Sequence, residues 1–463
     1  MQNQKKNKHG SVVQETIVFS NKQCHWKDLT LYAYKATGIV VSALQFSVLC
    51  VFQSTKSVSE EIILTLLYCC AYMLLGKIYG AFHLGQERVS NLIFSKGISL
   101  LLVYGGMFFI CWGLNKRAPL LMLWVIVYIA TVCAAAVWTI IGNRLFLFLY
   151  PPVRAMIVYQ DKQKLDTVQK MYNPKLFSVE RIVHITELGD SLSALDGVEA
   201  LFLCDVPTKL RNVILKYSSF HSIQVYLRPR IGDVLLSGAR HLHMSNLPVL
   251  YYRPNKSSLG YEAGKRALDI AVSVSLLILT APIMLCTVYF IKIYDGGPAL
   301  YRQIRLTKNG KMFSVLKFRS MCVDAERDKG AQLSSVGDDR ITPFGRLIRA
   351  TRIDELPQLV NIIKGEMSLV GPRPERPEIA AQYVQKLPEF QLRLQVKAGL
   401  TGYAQVYGKY STAPYDKLQM DLIYIANQSF LEDIKIILTT IKIMFIKEST
   451  QGIEPGQITA GEV

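Results

Sequence analysis

Arg349-Ala-Thr-Arg-Ile-Asp354-Glu355-Leu-Pro357-Gln358-Leu leads into an apolar run and then into Gly371-Pro372-Arg373-Pro374. Two adjacent carboxylates stand at the mouth of a short predicted helix, with Arg349 and Arg373 on either side in sequence. Leu356, Leu359, Val360 and Ile363 fall at i, i+3, i+4 and i+7, so an amphipathic helix is expected to start at the carboxylates. Pro357 is tolerated in its first turn, and Gly365 can end it. Asp354 and Glu355 would then sit at the positive end of the helix dipole, which favours their ionised forms and also attracts phosphate. The plain alternative is helix capping and dipole compensation. The neighbouring arginines and the Pro-Arg-Pro turn bring a site for chemistry on a phosphate ester level with it.

From Gly264 to the end the chain has no histidine, and its cysteines there are Cys286 and Cys322. A histidine-based triad is therefore excluded in this half, and a nucleophile must be a carboxylate, a hydroxyl or a lysine. Asp354 and Glu355 are the natural candidates. A carboxylate approaching a diphosphate meets charge repulsion, which Mg²⁺ can neutralise by bridging carboxylate and phosphate oxygens. Arg349 and Arg373 can hold phosphate oxygens as bidentate donors. Upstream, Tyr301–Arg305 and Phe313–Met321 mix basic and apolar residues. In extended chain, alternation puts Gln303 and Arg305 on one face, and Lys317 and Arg319 on one face. That pattern serves a diphosphate cradle and a solvated basic surface equally well. Residues 322–348, with Asp324, Asp338, Asp339 and Arg340, are expected to form an active-site loop. Ser429–Lys447 has apolar residues at helical spacing with Lys435, Lys442 and Lys447, as in an interfacial helix.

The chain of 463 residues carries a formal charge of +18 and is 50% hydrophobic. Its length allows about three domains, and its charge points to anionic lipid surfaces and phosphorylated substrates. No nucleic-acid recognition module is present, so nucleic acid is not an expected partner. The nine cysteines include no C-x-x-C pair and several lie in apolar runs, which implies a reducing compartment. Residues 1–30 are polar and read as a cytoplasmic tail without a secretory signal. Leu31–Phe52, Ile62–Phe82, Ile98–Leu114 and Leu120–Leu149 can each cross a hydrocarbon core of about 30 Å. Lysines before the first span, Arg88 and Lys96 after the second, and Arg144 and Arg154 at the end of the fourth put both ends of this bundle in the cytoplasm. The bundle, residues 31–150, is expected to anchor rather than transport, because it carries few ionisable groups; Lys35 and Lys77 are the exceptions.

Pro151-Pro152 opens a soluble stretch, residues 151–255. Ala155–Tyr159, Ile182–Ile185, Ala200–Cys204 and Ile223–Leu227 read as strands, and Lys162–Met171 and Lys209–Ser219 as helices between them, a pattern for a small parallel sheet. The turn after the first strand, Tyr159-Gln160-Asp161-Lys162, lacks the glycines of a dinucleotide site. The domain is therefore read as Rossmann-like without cofactor, serving packing or self-association. His241-Leu-His243 reads as two partly exposed histidines on a strand rather than half a metal site. Residues 256–264 form a linker. Lys265-Arg266-Ala-Leu-Asp269 then opens an uncharged run, Ile270–Ile291, with basic flanks on both sides and Pro282 at its middle. Each half spans about 16 Å of helix, too short to cross. A re-entrant helix over about 267–293, bent at Ala281-Pro282 and returning to the same face, satisfies both facts. The rest, within 265–463, is a monotopic soluble domain.

Lys317-Phe-Arg-Ser-Met321, Asp354-Glu-Leu-Pro-Gln358, Ser368-Leu-Val-Gly-Pro-Arg-Pro374, Gly399-Leu-Thr-Gly402 and Ser429-Phe-Leu-Glu-Asp433-Ile-Lys together resemble the bacterial sugar transferases, in the expected order from Lys265 to about Lys447. The upstream spans and degenerate α/β domain resemble the large subclass that primes capsule or exopolysaccharide synthesis. The resemblance implies transfer of a sugar-1-phosphate from a UDP-sugar to undecaprenyl phosphate at the cytoplasmic face of the bacterial inner membrane, through a phosphosugar-aspartyl intermediate. It implies that Asp354 is nucleophile and Mg²⁺ ligand and that Glu355 is the second metal or proton-handling group. Arg349, Arg373, Lys317 and Arg319 match diphosphate-binding residues, with Gln303, Arg305, Pro372 and Pro374 beside them. Pro282 matches the helix-breaking proline, and Lys265-Arg266 a headgroup anchor. Ala281, Thr307, Tyr407 and Arg352-Ile353 depart from the family pattern without removing a catalytic group. Glucose is the first expectation for the sugar, galactose the next, and an N-acetylated or deoxyamino sugar a variant of the same chemistry. An inactive scaffold of a polysaccharide assembly complex is the alternative from another class. The middle domain suggests a homodimer.

Overall fold

The computed structural model describes residues 3–52, 57–116, 118–161, 173–188, 192–244, 246–254, 257–322, 340–408 and 412–444, with side chains from Trp26 onward. Among these residues, five helical stretches are long and apolar enough to cross a membrane: Trp26–Phe52, Val58–Ile78, Val89–Asn115, Leu121–Leu149 and Leu259–Tyr294. The chain divides into two compact units, Met1–Arg228 and Pro229–Val463.

In the first unit, α1 (Asn3–Phe52), α2 (Val58–Ile78), α3 (Val89–Asn115) and α4 (Leu121–Leu149) pack in a ring, each against the next and α4 against α1. Each helix supplies one ring to the centre. Phe46 of α1 stacks on Tyr68 of α2 at 4.5 Å, and Tyr104 of α3 and Trp124 of α4 meet Phe46 edge-on at 6.0 and 6.1 Å, the arrangement ring quadrupoles favour. Polar groups turn inward: the Tyr104 and Thr131 hydroxyls bond at 2.8 Å, and Asn143 Oδ1 accepts from the Gly85 N–H at 3.0 Å. Leu44, Ile62, Leu121 and Phe148 face outward. A surface this apolar, around helices that satisfy their own backbone groups, suits hydrocarbon. α3 starts at Val89, ahead of the expected Ile98, because Asn91, Ser95 and Lys96 interrupt the apolar run without interrupting the helix.

After α4 comes a parallel sheet of β1 (Val153–Tyr159), β2 (Phe177–His184), β3 (Ala200–Cys204) and β4 (Gln224–Leu227), in the order β2-β1-β3-β4. β3 is buried throughout, as is the middle of β1, as expected for strands covered on both faces. α5 (Thr208–Phe220) links β3 to β4; the helix expected over Lys162–Met171 lies outside the described residues. β2 is longer than the expected Ile182–Ile185. It is an edge strand with an exposed face carrying Ser178, Glu180 and Arg181, so its first half has no apolar run to reveal it.

The second unit begins earlier than the expected boundary at residue 255. α6 (Ile231–Ser237) buries Val234 in a core shared with Leu418 and Leu422 of a later helix. β5 (Arg240–Met244) and β6 (Leu247–Tyr251) form an antiparallel hairpin that leaves His241 and His243 exposed. α7 (Leu259–Asp295) starts where Ser258 accepts the Tyr261 N–H, runs through Pro282, and ends at Gly296 with φ 66°. Its first turns are locked to the last helix among the described residues, Phe430–Met444. The buried Asp433 carboxylate accepts from Lys265 Nζ at 2.9 Å and from the Tyr261 and Tyr424 hydroxyls at 2.7 Å each. Arg266 donates to the Ile362 and Ile363 carbonyls at 2.6 Å each. Both basic heads expected at lipid headgroups are thus used inside the protein.

Removing one partner from a buried charge network strands the others. Asp433→Ala is expected to cost about 3–5 kcal/mol, and Tyr261→Phe about 1 kcal/mol. Both would be read as falls in the unfolding midpoint of the detergent-solubilised protein. Equal small falls would contradict the network.

Candidate active site

Between α8 (Pro343–Ala350) and α9 (Gln358–Lys364) the chain makes one 3-10 turn, Ile353–Glu355, that carries both carboxylates. Thr342 caps α8 by accepting the Gly345 N–H at 2.9 Å. Arg352 then enters the left-handed region, φ 57°, a conformation an arginine adopts at a cost of about 1–2 kcal/mol. Ile353 packs in a cluster with Phe318, Ile348 and Ile291, and Leu356 in the main core with Leu359 and Ile362. Asp354 and Glu355 are held between these two apolar anchors. α9 therefore starts after the dyad, at Gln358, and not at it as the spacing predicts. Its buried side is Leu359, Asn361 and Ile362, and Gly365, φ 85°, ends it as expected.

The two carboxylates differ sharply. Glu355 meets three cations: Arg373 Nη2 at 2.7 Å, Arg352 Nη1 at 3.7 Å and Lys317 Nζ at 3.9 Å. Burial alone would raise its pKa, but Arg373, Lys317 and Arg352 outweigh it and hold the group well below the usual carboxylate range. Asp354 accepts no hydrogen bond among the described residues. Burial, and then the charge of Glu355, push it up to about 6 against the opposing pull of Lys317, Arg349 and Arg373. Lys317 is itself lowered to about 8, chiefly by burial, with Glu355 opposing and Arg373 and Arg305 adding to the fall. A pair of neighbouring acids whose values are driven apart is the usual signature of divided roles.

β7 (Leu300–Leu306) and β8 (Met312–Phe318) form an antiparallel hairpin in which Tyr301 faces Lys317, Gln303 faces Val315 and Arg305 faces Phe313. Gln303 and Arg305 share one face, as alternation predicts, and the register puts Lys317 on that face too. Arg305 is bound within it: its guanidinium donates to Gln303 Oε1 at 2.6 and 3.1 Å and to the Pro374 carbonyl at 3.1 Å, and pairs with Glu375 at 3.4 Å. It braces the Pro-Arg-Pro turn. Arg319 lies past the strand, its guanidinium packed against Gly297 at the end of α7. Met321 pairs with Ile341; Asp324, Asp338 and Asp339, in the expected active-site loop, lie outside the described residues.

Pro372 and Pro374 shape the turn that aims Arg373, which is still 40% exposed. β9 (Ser368–Val370) leads into it and pairs in parallel with β10 (Gly399–Thr401). A Cβ on Gly371 would come within 2.3 Å of the Lys397 carbonyl, and one on Gly399 or Gly402 within 2.1 Å of Gly371 backbone. These three glycines let two backbones touch behind the turn. Several supports had no local signal in the sequence. Asp269 of α7 accepts the Leu369 N–H at 3.0 Å. The Asn361 side chain bonds the outer edge of β8, accepting from Leu316 N and donating to the Ser314 carbonyl at 3.0 and 2.8 Å. Buried Arg393 pairs with Asp421 at 2.8 Å and donates to the Arg373 carbonyl at 2.9 Å. Thr307, a departure from the family pattern, bonds the Glu366 carbonyl and the Ala398 N–H.

Arg393→Leu leaves Asp421 buried without its partner and is expected to cost about 3–5 kcal/mol, whereas joint replacement with Asp421→Leu should recover most of that loss. A double-mutant cycle on the unfolding midpoint measures this. Additive losses would contradict it.

Residues 260–447 match the family model described as bacterial sugar transferase. The chain is 38% identical over 225 residues to a UDP-N-acetylgalactosamine-undecaprenyl-phosphate N-acetylgalactosaminephosphotransferase of Aeromonas hydrophila, covering 48% of this chain and 52% of that protein. It is 41% identical over 182 residues to a UDP-glucose:undecaprenyl-phosphate glucose-1-phosphate transferase of Caulobacter vibrioides, covering 38% of this chain and 68% of that protein. To a galactosyl transferase of Streptococcus agalactiae it is 39% identical over 193 residues, covering 39% and 42%. The chain spans about half the length of the first of these relatives. The stretch matched by the family model contains the dyad, the Pro-Arg-Pro turn, the hairpin and the supports of α7: the chain belongs to the bacterial sugar transferase family.

Proposed function

We propose that this protein transfers a sugar-1-phosphate from a UDP-sugar to undecaprenyl phosphate, giving undecaprenyl-diphosphate-sugar and UMP, and so primes capsule or exopolysaccharide assembly. One observation carries the reading: Glu355 is fixed by Arg373 at 2.7 Å, while its neighbour Asp354 is left with an uncommitted carboxylate that titrates near 6. In this reading an Asp354 oxygen attacks the phosphorus that bears the sugar, and the bond from that phosphorus to the bridging oxygen breaks. UMP leaves with that electron pair, and the sugar-phosphate is esterified to Asp354. A phosphate oxygen of undecaprenyl phosphate then attacks the same phosphorus, and the Asp354 carboxylate is released. Arg373 and Arg349 hold the diphosphate and Lys317 balances the charge that gathers beside it. A groove of about 780 Å³ borders Arg373 and Pro374 on a side that Asp354 and Glu355 do not line.

The side chains fit a magnesium ion of the kind that one or two carboxylates share with substrate phosphates. Asp354 offers a hard oxygen that no arginine occupies, and Glu355 stands next to it. When bound, the ion would offset the negative charge of the diphosphate facing the dyad.

The same proposal reads α7 as re-entrant. Val272 and Leu277, before Pro282, belong to a core with Val315, while Met284, Val288 and Ile291, after it, pack with Phe318 of the same strand. The helix is continuous from Leu259 to Asp295; in this reading a bend at Pro282 would return it to the face it left, taken as cytoplasmic. The parallel-sheet domain is read as Rossmann-like without cofactor. Past the end of β1, His184 Nε2 lies 3.1 Å from the Gln160 carbonyl. Its role would be in a homodimer. The sugar is a hexose, glucose first and galactose next.

UMP release tests the reading. Purified protein with Mg²⁺ and undecaprenyl phosphate should release UMP from UDP-glucose or UDP-galactose and, if the sugar is N-acetylated, from UDP-N-acetylgalactosamine instead. No release from any UDP-sugar would favour an inactive scaffold. An acid with a raised pKa is protonated, and unable to attack, below that value. kcat/KM should therefore climb up to about pH 6 as Asp354 ionises and fall above about pH 8 as Lys317 loses its charge. Lys317→Met removes a cation that favours the Asp354 carboxylate. It should move the acid limb to higher pH and abolish the alkaline one; an unmoved acid limb would contradict the assignment.

A further inference from the structure

Lys96 lies on α3 inside the four-helix bundle and is 7% exposed. With Lys35 it borders a partly open, mainly apolar cavity of about 60 Å³; Gln45 also lines it, as do Tyr34, Ser42 and Thr131, whose hydroxyls are each bonded to a backbone carbonyl. No aspartate or glutamate borders it, and neither lysine forms an ion pair among the described residues. The Oε1 atom of Gln45 is buried and has no donor among the described residues. An uncompensated ammonium within a membrane bundle is costly, and such groups face a partner or a function. Two lysines and one unused acceptor thus border the same space, Lys96 buried and Lys35 half-buried with its ammonium 5.9 Å from the Tyr32 ring.

The cavity's depth is informative. Lys96 is about 10 Å along α3 from Val89, Lys35 about 14 Å along the apolar part of α1 from Trp26, and Tyr72 about 9 Å from the end of α2. Neighbouring helices run in opposite senses, so all three distances are measured from the same end of the bundle. The site therefore sits just inside one leaflet, within reach of its headgroups, and it is roomy enough for about two waters or one tetrahedral headgroup.

We propose that this cavity binds a phosphate monoester. Lys96 and Lys35 take the anionic oxygens, and the P–O–H of the singly protonated form donates to Gln45 Oε1. A phosphodiester has no such proton and leaves Gln45 unpaired, so the site distinguishes the two classes. The same chemistry can come from a lipid monoester or from free phosphate. The inference rests on the bundle alone and stands apart from the transferase reading.

The test is equilibrium binding of ³²P-labelled phosphatidic acid to the full chain in mixed micelles, with phosphatidylglycerol and inorganic phosphate as competitors. Saturable binding should weaken about tenfold or more in Lys96→Met, the loss of one charge-assisted hydrogen bond, and persist in Lys96→Arg. Phosphatidylglycerol should compete poorly. Competition by millimolar inorganic phosphate would identify the free ion as the source, and its failure to compete would identify the lipid. Methionine is apolar and suits the bundle, so Lys96→Met should melt no lower than the parent, which separates loss of binding from loss of fold. Binding that Lys96→Met leaves intact, or equal competition by phosphatidylglycerol, overturns the proposal.

Discussion

The ion pair between Glu355 and Arg373 is the contact on which the candidate site depends. Two carboxylates adjacent in sequence and largely buried cannot both be ionised without a strong counter-charge. The structure commits three cations to one of them and leaves the other the weaker acid. Glu355 is thereby a fixed negative charge, and its field, with burial, lifts Asp354 toward neutrality of pH. Arg373 neutralises Glu355 while its side chain stays 40% exposed.

That contact spans two segments that the fold must hold in register to a fraction of an ångström. One is the 3-10 turn, clamped by Ile353 and Leu356. The other is the Pro-Arg-Pro turn, backed by the close approach of Gly371, Gly399 and Gly402 and by donors from Arg305 and Arg393. The apolar helix α7 is tied into the same assembly. Arg266 closes the carbonyl end of α9, and Asp269 holds the first strand of the glycine seam. The segments around the dyad and the apolar helix are thus one piece of structure.

Much of this was legible in the residues. The dyad, Arg373 and Lys317 come together as read, because charged residues crowded into short motifs have few other uses. Alternation placed Gln303 with Arg305, because hairpin pleating leaves no choice; it also paired Lys317 with Arg319, but β8 ends at Phe318 and the register instead sets Lys317 beside Gln303 and Arg305. The start of α9 was misplaced, since a left-handed residue followed by a 3-10 turn has no apolar period to betray it. Arg393, Asp421 and Asn361 escaped notice because their partners are far along the chain or are backbone atoms. Lys265 and Arg266 read as headgroup anchors for the same reason: Asp433 and the carbonyls of α9 are invisible from their position in the sequence. Lys96 read as a loop charge, since nothing local says that a helix extends through it.

The central claim is that Asp354 carries the transferred group. Mass spectrometry of the purified protein, mixed with UDP-sugars and Mg²⁺ in the absence of lipid acceptor, tests it most directly. The account predicts a sugar-phosphate adduct on the peptide containing Asp354, absent from Asp354→Asn. If UMP forms only when undecaprenyl phosphate is present and no adduct is ever trapped, transfer is direct and the account of Asp354 as nucleophile is wrong.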